Sequence, residues 1–291
     1  MRDFVPELLE LIRRTSADLP PDVEQALRWA RDAEAPGSAA AGALDAILEN
    51  VELARAKSSP ICQDTGTPLF YVRHPVGWST AALRDQIRRA VAEATKQSYL
   101  RPNAVDTLSG RNSGDNLGDE TFPTFHFEES EGDELVVDLI LKGGGCENVG
   151  AQYSLPDDRL DAGRDLDGVR RAALDAVHRA QGQGCAPGVL GVAIGGDRGS
   201  SYAASKQALL RPLADRSPDA QLAALEARLL EEGNRLGIGP MGFGGKTTLL
   251  GVKAVALHRL PASFFVSVSY MCWAYRRRRL TIDADGQAHD G

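Results

Sequence analysis

Residues 60–72 have the sequence Pro-Ile-Cys-Gln-Asp-Thr-Gly-Thr-Pro-Leu-Phe-Tyr-Val. The first proline and the Thr65-Gly66 pair favour a tight, irregular turn. The aromatic and β-branched residues at 69–72 predict a short strand directly after it. Cys62 and Asp64 therefore lie on a loop that enters a sheet, where reactive groups are commonly placed. For Cys62 alone a buried structural thiol is the better interpretation, since cysteine thiols are among the most buried side chains.

The composition is that of an ordinary globular protein. The chain has 291 residues, 43% hydrophobic and 25% charged, with a formal net charge of -7. Such an acidic chain lacks the basic surface that nucleic acids and anionic membranes require. No apolar stretch reaches the roughly 20 residues of a membrane helix, and the N-terminus lacks the apolar core of a signal peptide. We expect no nucleic-acid partner and no membrane partner. We expect a cytoplasmic location, where the cysteines stay reduced.

The order of patterns along the chain predicts helices first and a sheet afterwards. Apolar residues recur at helical spacing through residues 3–56, and strand-like runs alternate with helical segments in the remainder. We expect an α/β fold: a helical N-terminal region (1–56) followed by a mixed β-sheet packed with helices (57–282), within a single domain of residues 1–291. The four arginines at 276–279 predict solvated surface or an intersubunit contact. The polar tail after Asp283 predicts a frayed end.

Three loops have features of anion-binding segments. Lys142 precedes three glycines and Lys246 follows two, and successive glycines allow a close approach of the backbone. Residues 245–247 resemble the end of a P-loop, but Pro240 replaces a glycine that this motif requires, so we reject an NTPase. The polar loop at 107–118 contains Arg111. Its composition favours a flexible surface loop, and a binding loop with one cation is the alternative.

Three of the four cysteines occupy similar places. Cys62, Cys185 and Cys272 each lie where a loop meets a predicted strand, separated by 123 and 87 positions, and the sequence contains no C-x-x-C pair. A zinc ribbon or a thioredoxin-like motif is therefore disfavoured. Soft thiolates suit iron–sulfur chemistry, and a cluster held by three of the usual four cysteines keeps one iron open.

Several motifs together resemble the iron–sulfur hydro-lyases of the class I fumarase and L(+)-tartrate dehydratase family, over roughly residues 5–280. The matching stretches are residues 61–67 (ICQDTGT), 109–116 (SGRNSGDN), 142–148 (KGGGCEN), 184–188 (GCAPG), 191–196 (GVAIGG), 242–248 (GFGGKTT), 259–263 (RLPAS) and 264–274 (FFVSVSYMCWA). Residues 240–245 and 264–274 are most similar to fumarate hydratase. The length is similar to that of the α, or N-terminal, subunit of the two-subunit form.

The resemblance implies a [4Fe-4S] cluster as cofactor, with Cys62, Cys185 and Cys272 as its ligands. Cys146 falls where many relatives have serine, and we interpret it as a thiol of the pocket. The resemblance places Asp64 beside the open iron, where its carboxylate exchanges a proton with the leaving water.

The resemblance also implies a binding site for a small dicarboxylate. Gln63 orients the substrate, and the backbone at Gly143 and Gly144 faces one of its carboxylates. Arg111 is a candidate partner of the same dianion, and Lys246 is a further cation for it.

The function implied is the reversible hydration of fumarate to malate, a step of the tricarboxylic acid cycle. We expect a β subunit to complete the active site, the α chain alone to turn over little, and the complex to form a higher oligomer. L(+)-tartrate and mesaconate stay open as substrates. Leu260 stands where several relatives have a histidine that tartrate dehydratases usually keep, which favours fumarate. From other classes, a cluster-binding or iron-sensing subunit and a purely structural α/β domain also stay open.

Overall fold

Helices and strands alternate along most of the chain, and the computed structural model describes residues 2–290. The helices in this part are α1 (Val5–Ala17), α2 (Pro21–Ala33), α3 (Ala39–Lys57), α4 (Thr80–Lys96), α5 (Gly144–Asn148), α6 (Leu166–Ala180), α7 (Arg198–Ala208) and α8 (Ala220–Arg235). The strands are β1 (Thr67–Pro75), β2 (Thr124–Ser130), β3 (Leu135–Lys142), β4 (Ala151–Ser154), β5 (Gly188–Ile194), β6 (Leu249–Ala256), β7 (Phe265–Met271), β8 (Arg277–Ile282) and β9 (Ala288–Asp290). The predicted α/β fold class is confirmed.

Short polar side chains determine where several helices begin. Ser79 accepts a hydrogen bond from the Ala82 N–H at the start of α4. Asp165, Asp197 and Asp219 accept from first-turn N–H groups of α6, α7 and α8. An N-cap side chain satisfies backbone donors that have no partner within the helix, and it stabilises the protein by about 1 kcal/mol.

The internal contacts divide the chain into two compact units. Unit 1 comprises Met1–Pro20, Glu49–Gly144 and Arg276–Gly291, and unit 2 comprises Pro21–Leu48 and Gly145–Tyr275. Each unit contains one β-sheet. The predicted single domain of residues 1–291 stays a prediction.

Unit 1 is built on a sheet with the strand order β2-β1-β3-β8-β9. β1 pairs in parallel with β2, and the other neighbours are antiparallel. Helices α1 and α4 pack on each other, and α1 also contacts β3 and β8. The core combines residues of the helices, such as Leu8, Ile12 and Ile87, with Phe70 and Leu139 of the sheet.

Unit 2 is built on a sheet with the strand order β4-β7-β5-β6, in which only the β5–β6 pair is parallel. β5 is buried along its whole length. The interface between α7 and β7 contains two pairs of buried serines, Ser201 with Ser267 at 2.8 Å and Ser205 with Ser269 at 2.7 Å. Pairing satisfies hydroxyl groups that would otherwise be costly to bury.

The C-terminal segment differs from the sequence prediction. The four arginines do not form a solvated surface, because Arg276 is only 1% exposed and the next three begin β8, which pairs with β3. The tail after Asp283 is not frayed over its described part, because β9 pairs with β8. Pairing with β3, a strand more than 130 residues earlier in the sequence, outweighs the local preference of the arginine run for solvent.

No helix within residues 2–290 combines the length and the hydropathy that crossing a membrane would need.

One prediction concerns the packing of α7 on β5. A Cβ atom at Gly191 would lie 1.9 Å from the Ser205 carbonyl oxygen, so Gly191→Ala forces the helix away from the strand. We expect this change to lower the free energy of unfolding by about 1–3 kcal/mol. Gly42→Ala is the matched control, since Gly42 lies in α3 with no atom near the added methyl group. It should stabilise the protein by about 0.5–1 kcal/mol. Equal urea midpoints for the two variants would contradict this packing.

Candidate functional site

The loop before β1 packs closely on the end of β3 in unit 1. Thr67 pairs with Lys142 across the two strands. Gly66 has a φ of +79°, and a Cβ atom there would lie 2.6 Å from the carbonyl carbon of Lys142. Only glycine fits such a left-handed position against another backbone. The loop that contains Cys62, Gln63 and Asp64 is thereby held against the glycines that follow β3.

The Asp64 carboxylate is fixed within this contact. Its Oδ1 atom accepts a hydrogen bond from the Gly66 N–H at 3.0 Å. Its Oδ2 atom lies 2.9 Å from where a Cβ atom of Gly143 would be, and 3.7 Å from that of Gly144. Three of the predicted site residues, Asp64, Gly143 and Gly144, are therefore neighbours, and Gln63 lies beside them in the chain. A side chain at position 143 would collide with the carboxylate.

Sequence reasoning missed Arg101. One Nη atom of Arg101 donates to the Gln63 carbonyl oxygen at 3.4 Å, and its backbone N–H donates to the Thr65 hydroxyl at 3.1 Å. Asn103 also donates to this buried hydroxyl, at 2.9 Å. The segment after α4 is thus tied to the Asp64 loop and brings a guanidinium to it. Nothing in the local sequence distinguishes Arg101 from the chain's other arginines, because the contact joins residues 38 positions apart.

Arg111 lies on an exposed loop, the interpretation that the composition of residues 107–118 favoured. It is exposed, and its guanidinium forms no hydrogen bond or ion pair with any residue from 2 to 290. It lines an open surface pocket of about 550 Å³ together with Asp106 and Asp119. These acidic neighbours reduce the attraction of the pocket for an anion. In the described structure Arg101 contacts the loop of Gln63 and Asp64, and Arg111 does not.

Three of the four thiols lie around one buried tyrosine in unit 2. The thiols near the Tyr270 hydroxyl are Cys272, Cys146 and Cys185. Burial and, after it, the negative charge that these cysteines carry as thiolates raise the pKa of Tyr270. A Cβ atom at Gly184 or Gly188 would lie within 2.6 Å of the tyrosine ring, so both glycines are needed beside it. The structure therefore brings the predicted ligands Cys185 and Cys272 into one neighbourhood.

Backbone contacts hold the Cys185 loop in place. The Cys185 carbonyl oxygen accepts from the Trp273 N–H at 3.1 Å, which ties it to the residue after Cys272. Cys185 has a φ of +54°, a strained conformation for a residue with a side chain. Such strain persists only where the surrounding structure enforces it, and it is concentrated at functional sites. Cys185 and Cys62 are partly exposed, whereas Cys272 and Cys146 are buried.

The glycine-rich loop of Lys246 binds an anion, but the anion is the protein's own. Glu34 is 5% exposed, and its carboxylate accepts from the Lys246 N–H at 2.8 Å and from the Thr247 N–H at 2.9 Å. A Cβ atom at Gly245 would lie 2.8 Å from this carboxylate. The backbone donors that resembled a phosphate-binding loop are therefore occupied by Glu34. Only the exposed side chain of Lys246 is left to meet a ligand.

The same loop also packs on the residues on both sides of Cys185. The Met241 N–H donates to the Ala186 carbonyl oxygen at 2.8 Å. A Cβ atom at Gly182 would lie 2.8 Å from the Met241 carbonyl oxygen. The loops of Lys246 and Cys185 thus form one assembly within unit 2.

The donor chemistry of these cysteines, soft sulfur, is compatible with iron–sulfur ligation. None of the four cysteines forms a disulfide. Within residues 2–290, no group of three or more His, Cys, Asp or Glu residues is placed to hold one metal ion. The thiolates of a cluster bind different iron atoms, so they do not need to converge on a single point.

Comparison with known proteins identifies the family. The sequence model described as Fumarate hydratase (Fumerase) matches residues 6–281. A Geobacillus stearothermophilus protein named "Putative fumarate hydratase class I" is 51% identical over 286 residues, which are 97% of this chain and 55% of that protein. The L(+)-tartrate dehydratase subunit alpha of Escherichia coli K12 is 32% identical over 275 residues, 93% of this chain and 88% of that subunit.

A third relative is similar to this chain over nearly the whole length of both sequences. The "Putative L(+)-tartrate dehydratase subunit alpha" of Methanocaldococcus jannaschii is 34% identical over 284 residues, 95% of this chain and 97% of that subunit. The chain thus spans about half of the Geobacillus relative and nearly all of the Methanocaldococcus one. The names of all three relatives are those of hydro-lyases, and the resemblance inferred from the motifs is confirmed. The chain belongs to the fumarate hydratase (Fumerase) family.

Proposed function

We propose that this chain is the cluster-binding part of a hydro-lyase that interconverts fumarate and malate. The observation that supports this best is the Asp64 carboxylate held against Gly143 beside the partly exposed Cys62. An ionisable group fixed next to glycines, on a loop with a thiol, suits proton transfer to a small substrate that approaches the backbone closely. The 51% identity to a relative named for this reaction agrees with it.

We propose a [4Fe-4S] cluster as the cofactor, with Cys62, Cys185 and Cys272 as its ligands. Cys185 and Cys272 lie near Tyr270 and form no disulfide, which supports their assignment as two of the three ligands. When bound, a cluster with one open iron supplies a Lewis acid for the substrate hydroxyl. Cys146 is left as a pocket thiol, although it lies in the same neighbourhood.

The protein's own groups bind the dicarboxylate and move a proton. The backbone at Gly143 and Gly144 faces one carboxylate of the substrate; Gly144 and Gln63 are exposed there, and the space over Gly143 holds the Asp64 carboxylate. Arg101 supplies the positive charge that the sequence had assigned to Arg111. Lys246 is a second cation, on a loop that Glu34 makes rigid. Asp64 accepts a proton from water as the hydroxyl adds to the double bond, and it returns this proton to the leaving hydroxyl in dehydration.

A second polypeptide is part of this proposal. The Geobacillus relative is almost twice as long as the matched region, and the other two relatives are named as alpha subunits. We propose that a β subunit, or an equivalent domain, supplies the rest of the substrate contacts and the base for the carbon-bound proton, in a higher oligomer located in the cytoplasm. A place in the tricarboxylic acid cycle belongs to the same proposal.

Fumarate is favoured over L(+)-tartrate and mesaconate. This chain is 51% identical to the relative named for fumarate, and 34% and 32% identical to the two relatives named for L(+)-tartrate. Leu260, in the position of the missing histidine, is 74% exposed. A leucine offers no hydrogen bond to a second substrate hydroxyl, which fumarate lacks and tartrate has.

Substrate assays test the proposal directly. The chain is purified anaerobically with its cluster, alone and together with the part of a full-length relative that it does not cover. We expect the pair to hydrate fumarate and the chain alone to show less than about 1% of that rate, because the complete dicarboxylate clamp requires both parts. Comparable turnover by the chain alone would contradict the need for a partner. A cluster-loaded pair inactive on fumarate, L(+)-tartrate and mesaconate would contradict the hydro-lyase and favour an iron-sensing subunit.

Asp64→Asn tests the proton-transfer role. The amide keeps the size and the acceptor for the Gly66 N–H but cannot take a proton, so we expect kcat to fall by about 10²–10⁴-fold with an unchanged cluster spectrum. Asp115→Asn is a closely matched control, because its Oδ1 atom also accepts from an N–H two residues on, that of Leu117, at 3.0 Å. The control should retain kcat within about twofold. Equal rates for the two variants would exclude Asp64 as the acid–base group.

A further inference from the structure

Arg276 is the first arginine of the basic block and the most deeply buried of the four. It is 1% exposed, whereas the side chain of Arg279 is 49% exposed and pairs with Asp138 at 2.8 Å. Arg278 lies 3.7 Å from Asp18. Arg278 and Arg279 thus form ion pairs with carboxylates, and Arg276 is the cation buried deepest in unit 1.

The contacts of Arg276 lead to the candidate site. One Nη atom donates a hydrogen bond to the main-chain carbonyl oxygen of Asp64 at 2.9 Å. The same nitrogen lies 3.8 Å from where a Cβ atom of Gly143 would be. The guanidinium therefore reaches the two residues whose contact fixes the Asp64 carboxylate.

The backbone of Arg276 is held as firmly as its side chain. Its carbonyl oxygen accepts from the Leu141 N–H at 3.1 Å, one residue before Lys142. This bond continues the pairing of β8 with β3. Arg276 thus links the end of β3 to the Asp64 loop through its main chain on one side and its guanidinium on the other.

A buried guanidinium is a costly way to join two segments. Removing a charged group from water is unfavourable unless hydrogen bonds compensate for it, and an apolar residue of similar size commonly gives equal stability. A charge-assisted bond from a planar guanidinium, in return, fixes its acceptor in direction and in distance. Arg276 is therefore suited to define geometry more than to add stability.

Asp64 is consequently held at two points. The Gly66 N–H holds the carboxylate through its Oδ1 atom, and Arg276 holds the peptide group through its carbonyl oxygen. Loss of the Arg276 bond removes one restraint on the orientation of this peptide, and thereby on the position of the carboxylate over Gly143. A displacement of about 1 Å at a reacting group can lower a rate by about 10²-fold.

We propose that Arg276 is a positioning residue that sets the location of the Asp64 carboxylate over Gly143. The proposal rests on the function proposed above, in which Asp64 exchanges a proton with the substrate. Arg276 itself does not touch substrate, because its side chain is fully buried.

The test uses Arg276→Lys and Arg276→Met in the cluster-loaded complex, with Arg279→Met as the matched control on the same segment. We expect Arg276→Met to lower kcat by about 100-fold and Arg276→Lys by about 10-fold, since lysine keeps the charge but not the planar donor. KM should stay within about twofold and the cluster spectrum should not change. Arg279→Met should leave both kinetic constants unchanged. Wild-type kcat in Arg276→Met, or a change confined to KM, would overturn the proposal.

Hydrogen–deuterium exchange gives a readout that does not depend on catalysis. The Gly66 amide, which donates to Asp64, should exchange at least about tenfold faster in Arg276→Lys than in the wild type or Arg279→Met. Unchanged exchange would overturn the positioning role even where kcat falls. If the wild-type complex hydrates no substrate while this exchange still responds, the proposed function fails and the mechanical link to Asp64 stands. Should Arg276→Met not fold, Arg276→Lys decides the result.

Discussion

The close approach of a backbone or a side chain to glycine residues is the constraint on which the candidate site depends. In unit 1, Gly66 lies against the carbonyl of Lys142, and Gly143 leaves space for the Asp64 carboxylate. In unit 2, Gly184 and Gly188 make room for the Tyr270 ring beside the thiols. Replacing any of these glycines would place a carbon atom inside an existing contact. The loops therefore have one packed arrangement each, and this gives their reactive side chains a defined location without the support of a helix or a strand.

Buried charges complete this arrangement by binding backbone instead of each other. Glu34 accepts from the backbone N–H groups of Lys246 and Thr247, and Arg276 donates to the carbonyl of Asp64. A charged group bonded to the main chain fixes the path of a loop, and it is costly to remove because its partners are left unsatisfied. Both charges come from segments distant in sequence, one from the end of α2 and one from the start of β8. The rigidity of the loops is thus a property of the fold and not of their own residues.

Much of the fold could be predicted from the sequence, because it is encoded locally. Apolar periodicity identifies α1 and α4, and a run of apolar residues and glycine without polar alternation identifies β5, which is buried along its whole length. The local sequence pattern did not predict β8, because its first three residues are arginines and the strand is defined by its pairing with β3. Within the site, the motifs named Asp64, Gly143 and Gly144 as site residues, but they did not predict the contact between Asp64 and Gly143. The contacts of Arg101, Glu34 and Arg276 could not be predicted either, since each joins residues that are far apart in the sequence.

The most direct test of the account is the ligation of the cluster. Iron and sulfide content, with Mössbauer spectra, is measured for the anaerobically reconstituted wild type and for Cys62→Ser, Cys185→Ser, Cys272→Ser and Cys146→Ser. The account predicts about four irons and four sulfides per chain in the wild type, with one iron spectroscopically distinct. It predicts loss of the cluster in the first three variants and retention in Cys146→Ser. A wild type that binds no cluster, or a Cys146 variant that loses it while Cys62→Ser retains it, would contradict the account.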